Sequence, residues 1–164
     1  MGAPTGLRVF GHPAHAMLSH FPMALLLVVP LWDAAGIACH DALLRVISFQ
    51  LLVAGLVAAS FAAVAGLVDY AAMIEGAKRG TTTAARHLVV MIAAVGVDGV
   101  AAAIRVHAAP LGGGRAAVGL ALEALAAVGL MAGGWLGGEL VFRHGAGHVV
   151  VSASSDERKS EQGN

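Results

Sequence analysis

LRVISFQLLVAGLVAASFAAVAGLV, residues 44–68, carries a single charge, Arg45. It is apolar on every side, which marks a helix with no face for water. At a rise of about 1.5 Å per residue it is long enough to cross a hydrocarbon core of roughly 30 Å. Working outward, three comparable stretches occupy residues 16–37, 88–104 and 118–142, each poor in charge. The whole chain of 164 residues is 58% hydrophobic and 12% charged, with a mean hydropathy of +0.79, a membrane composition. Short polar or glycine-containing connections separate the stretches and force consecutive helices to be antiparallel neighbours. The expected fold is therefore an all-α integral membrane protein, a four-transmembrane-helix up-down bundle. Residues 1–11 form an N-terminal segment, 12–150 the transmembrane domain, and 151–164 a polar tail expected to be disordered.

Formal net charge is zero, so no basic surface argues for nucleic acid. The distribution of charge is informative. In this topology Arg8, Lys78, Arg79, Arg86, Arg143, Arg158 and Lys159 fall on the side of both termini, against Arg45, Arg105 and Arg115 opposite. That asymmetry predicts an inner-membrane, multi-pass protein with both termini cytoplasmic. The single cysteine, Cys39, excludes an intrachain disulfide and a cysteine-ligated cluster. "GIAC" at 36–39 imitates a lipoprotein box, but the preceding span carries Pro30 and Asp33 and has no basic start.

Six of the eight histidines gather at the cytoplasmic end of this topology. His12, His15 and His20 open the first helix, His87 opens the third, and His144 and His148 close the fourth, while Asp69 and Tyr70 close the second and Glu139 lies near the end of the fourth. Ionisable groups at membrane depth are paired or functional, because lipid offers no hydrogen bonds. Pro13 suits the first position of a helix, which makes His12 a cap-like residue. His87, Asp98 and Arg105 share one helical face, expected to point inward. Gly129, Gly133 and Gly137 form a small-residue row on the fourth helix, Gly134 and Gly138 a second, and Gly55, Ala59, Ala62 and Gly66 a matching stripe on the second; such rows let backbones approach closely. A weak internal echo pairs His20–Asp33 with His87–Asp98 and suggests two duplicated hairpins.

The motifs "GHPAHAMLSHFPMALL" (11–26), Asp33, "GLVDY" (66–70), His87 and "GGELVFRHGAG" (137–147) resemble the bacterial membrane proteins grouped as domain of unknown function 2231. The resemblance covers roughly residues 10–150. It implies a small multi-pass membrane protein of unassigned biochemistry with His12, His15, Asp69, Glu139 and His144 as motif positions. Ala16 and "VFRHG" depart from the pattern, and the resemblance supplies no mechanism.

Chemistry leaves several readings open. Interfacial histidines can simply cap helix ends and bond to Asp69 and Glu139. Alternatively, a b-type haem can be held between His87 and one of His12, His15 or His20, with His144 as a substitute, Gly66 and Gly137 giving the porphyrin room, and Arg86 or Arg143 meeting its propionates. That reading calls for electron transfer with a redox partner protein. A divalent metal bound by His12, His15, Asp69, His87 and Glu139 uses the same atoms. Asp33, Asp98 and Glu123 add the elements of a proton or ion path, for which four spans suggest a homo-oligomer; Asp98 paired with Arg105, and Asp33 and Glu123 at the water boundary, are the plainer explanation. A structural membrane subunit is the blandest outcome. No serine or cysteine stands in a nucleophile's context, and no enzyme is inferred. The lipid bilayer is the one partner common to every reading.

Overall fold

The computed structural model describes residues 6–77, 79–106 and 113–146. A two-stranded hairpin, β1 (Arg8–Val9) and β2 (His12–Pro13), precedes four helices: α1 (Ala14–Ala38), α2 (Ala42–Glu75), α3 (Thr81–Val106) and α4 (Gly114–His144). All four helices are long and apolar enough to cross a membrane. The expected spans lie inside them. The helices run beyond the apolar stretches because polar residues supply their ends. Asp41 caps α2 by accepting from the Leu43 and Leu44 amides at 2.8 and 3.4 Å. Gly145 ends α4 in the left-handed conformation, φ 65°. The entry to α1 differs from expectation: His12 belongs to the hairpin and Pro13 is the capping residue. The hairpin is held when the Ala14 amide bonds to the Leu7 carbonyl at 2.9 Å. Of the domain division, the proposed tail at 151–164 lies outside the described residues, as do His107 and His148.

α1 packs chiefly on α2, and α3 on α4, so the bundle is two hairpins side by side. The small-residue rows permit this close approach. A Cβ on Gly55 would come within 2.5 Å of Leu26, and one on Gly129 within 2.9 Å of Ala94. Leu26, Val29, Leu52, Ala94 and Leu130 form the buried centre. Two consecutive hairpins should also be alike if they arose by duplication, and their burial is. Pro22, Leu26, Val29 and Asp33 are buried in α1, and so, at one constant offset along the chain, are Ala94, Asp98, Ala101 and Arg105 in α3. Arg45, Ser48, Leu52, Gly55, Ala59 and Ala62 in α2 match Ala116, Gly119, Glu123, Ala126, Leu130 and Gly133 in α4, again at a constant offset. The repeat is thus parallel, with its pseudo-two-fold axis along the helices. The sequence echo pairs His20 with His87 and Asp33 with Asp98; the matched tethers of His15 to Ala62 and of His87 to Gly133 instead pair His15 with His87, and with it Asp33 with Arg105.

Candidate functional site

Within the helical bundle the ionisable groups fall into two layers, one at each end. At the end carrying the N-terminus, His15 of α1 and His87 of α3 approach each other with ring centres 6.2 Å apart and ring planes at 78°. Each is tethered in the same way. His15 Nδ1 lies 2.8 Å from the Ala62 carbonyl of α2, and His87 Nδ1 lies 2.8 Å from the Gly133 carbonyl of α4. A carbonyl only accepts, so both Nδ1 atoms carry hydrogen, and in the neutral rings Nε2 keeps its lone pair. The two acceptors are themselves repeat equivalents. Gly66 and Gly137, one turn further along their helices, are equivalent as well. A Cβ on Gly66 would meet the His15 ring at 2.9 Å, and one on Gly137 would meet the His87 ring at 3.3 Å. These glycines make room for the imidazoles.

The remaining sequence candidates surround this pair without joining it. His12 and His20 are exposed. His144, also exposed, has Nε2 3.5 Å from Thr83 Oγ1 and packs against Gly80, where φ is +88°. Asp69 accepts from the Leu7 amide at 2.8 Å and so pins the N-terminal hairpin to α2. Glu139 pairs with Arg143 one turn along α4 at 2.9 Å, beside a groove lined by Gly134, Trp135, Gly138 and Phe142. Arg143 is thus engaged, and Arg86 is exposed. Among the described residues no group of three or more His, Cys, Asp and Glu side chains is placed to hold a metal ion. A single shared site made of His12, His15, Asp69, His87, Glu139 and His144 is not what the fold builds. Proximity in depth brought these residues to one layer; helix rotation separated them around the bundle.

The second layer lies at the opposite end and is more deeply buried. Asp33 is 0%, Glu123 0%, Asp98 1% and Ser48 0% exposed, with Arg45 at 6% and Arg105 at 8%. Arg105 is its hub. Its guanidinium meets Asp33 of α1 at 3.0 Å, Glu123 of α4 at 2.5 Å, and the Ser48 hydroxyl and Arg45 carbonyl of α2 at 3.1 and 2.9 Å. It also sits 5.6 Å above the centre of the Phe49 ring, within cation–π range. Arg45 bonds Asp33 from the other side at 3.1 Å, and Ser48 donates to the Val29 carbonyl at 3.0 Å. All four helices meet on one side chain. Asp33 and Glu123 are therefore interior groups, not groups at the water boundary, and Arg105 serves them instead of Asp98. Sequence reasoning placed these charges in spans but missed the network. The available signal was their number: charged residues on several faces that must be buried have few partners other than each other.

An apolar four-helix bundle with a half-buried histidine pair toward one end and buried ionisable groups toward the other defines a polytopic membrane protein. The family model described as "Predicted membrane protein (DUF2231)" matches residues 11–150, and the chain belongs to that family. Comparisons with curated proteins and with solved structures return no match.

Proposed function

We propose that His15 and His87 would hold a b-type haem and that the protein carries electrons in its membrane. The carrying observation is the matched pair: two imidazoles from equivalent positions, each with Nδ1–H tied to a backbone carbonyl and Nε2 left as a donor, 6.2 Å apart between ring centres. Tethering the far nitrogen is what orients a metal-binding histidine. Two protein ligands are too few for a closed zinc shell, which takes four. They are the number a porphyrin-bound iron needs, since the macrocycle supplies the rest of the coordination. When bound, the haem supplies one-electron redox chemistry. The chain's own groups fix the ring tautomers and keep the donors at one depth.

The pair lies toward the end carrying the N-terminus, and we place that end in the cytoplasm. Arg45 and Arg105 are buried in ion pairs, so the basic residue that remains opposite is Arg115, which strengthens the charge asymmetry read from the sequence. A redox partner protein then docks from the cytoplasmic side. The test is bound haem per chain in protein purified from cells supplied with a haem precursor. Wild-type protein and His20→Ala should carry haem, and His15→Ala and His87→Ala should lose it. Haem-free wild-type protein, or haem retained in both of the latter variants, overturns the assignment.

A further inference from the structure

Among the described residues the layer at the arginine end does not balance: it holds three buried carboxyl groups, Asp33, Asp98 and Glu123, against two buried guanidinium groups, Arg45 and Arg105. The ion pairs described above engage Asp33 and Glu123 but not Asp98. Asp98 is 1% exposed, and its Oδ2 has no hydrogen-bond partner; Asp33 Oδ2 and Glu123 Oε2 are orphaned as well. A carboxylate with no counter-charge, buried among apolar helices, is one of the most unfavourable arrangements a membrane offers.

Packing does not demand these acids. The internal repeat supplies the control, because the position equivalent to Asp98 is Leu26 and the position equivalent to Glu123 is Leu52, both fully buried. The first hairpin is closed by leucine where the second hairpin has a carboxyl pair. A metal cation would restore neutrality, but among the described residues these carboxyls are not grouped to hold one. A proton restores neutrality without a coordination shell and turns the carboxyl into a donor.

We propose that this layer is a proton-binding site and that Asp98 holds the proton. The charged group that faces it is Glu123 from α4, which disfavours a second negative charge beside it; Arg105, further along α3, is committed to Glu123 and Asp33, and Arg45 of α2 to Asp33. The site is independent of the histidine pair and rests on the broken symmetry of the repeat.

Infrared spectroscopy of the protein in lipid bilayers at neutral pH reads the proton directly, through the carbonyl stretch of a protonated carboxylic acid. The expected result is such a band in wild-type protein and its loss in Asp98→Asn. Thermal unfolding separates this from a structural role. Asp98→Asn, an uncharged mimic of the protonated acid, and Asp98→Leu, a copy of the other repeat, should keep the wild-type midpoint, whereas Asp33→Asn should lower it. Absence of the band, its persistence in Asp98→Asn, or an Asp98→Asn midpoint lowered as far as that of Asp33→Asn overturns the proposal.

Discussion

Arg105 and the two tethered histidines show how much depends on single side chains in this bundle. Arg105 answers both Asp33 and Glu123, and removing it leaves two buried carboxylates to share Arg45. Breaking a buried ion pair from one side costs about 3–5 kcal/mol. Arg105→Ala should therefore lose stability on that order in detergent unfolding; an unchanged midpoint would mean that the network holds nothing together. At the other end, Gly66→Ala puts a methyl group where the His15 ring lies, 2.9 Å away. It should push that ring from its carbonyl and, on the haem assignment proposed above, reduce bound haem while leaving the chain folded, as haem content and circular dichroism together would show. Residue types were legible from the sequence at both ends; partnerships were not. His15 and His20 are both on α1 near the same boundary, yet one faces α3 and the other is exposed. A rotation of the helix decides between them, and a nearly uniform apolar helix carries little sequence signal for its rotation.

At the scale of the helix, α4 separates close packing from open surface. Its row Gly129, Gly133, Gly137 faces Ala94, Met91 and His87 of α3, whereas a Cβ on Gly138 would meet nothing within 4 Å. Gly133→Leu forces its side chain into Met91 and should cost about 1–3 kcal/mol, the usual penalty of overpacking. Gly138→Leu should stay within about 0.5 kcal/mol of wild type, as open positions do. Equal effects in a thermal unfolding series would mean that the two rows were assigned to the wrong faces. The spacing of the glycines was readable in the sequence because small residues every fourth position make a row on any helix. Which row met a neighbour needed the structure. The helix ends were also partly hidden: Thr81–Arg86 is too polar to count toward a span, but it continues α3 and carries His87 into register with Gly133.

For the molecule as a whole, the number of spans and their antiparallel order followed from hydropathy and loop length, which act locally along the chain. The likeness of the two hairpins did not, since it shows in the matched histidine tethers rather than in residue identity: Leu26 is matched by Asp98, and Asp33 by Arg105. The repeat kept the histidine end symmetric and let the arginine end differ, so the two ends are suited to different tasks. The proposed cytoplasmic placement of the histidine end predicts opposite signals from reporters fused at Gly163 and within Gly112–Gly114; the same signal from both contradicts it. The central claim is the pair of crossed imidazoles, and electron paramagnetic resonance of the oxidised protein tests it most directly. Two imidazole planes at 78° on one ferric haem predict a low-spin signal of the strongly anisotropic kind given by near-perpendicular axial rings, absent from His15→Ala and His87→Ala. A high-spin signal, a low-spin signal that survives both substitutions, or no haem signal at all would contradict the account.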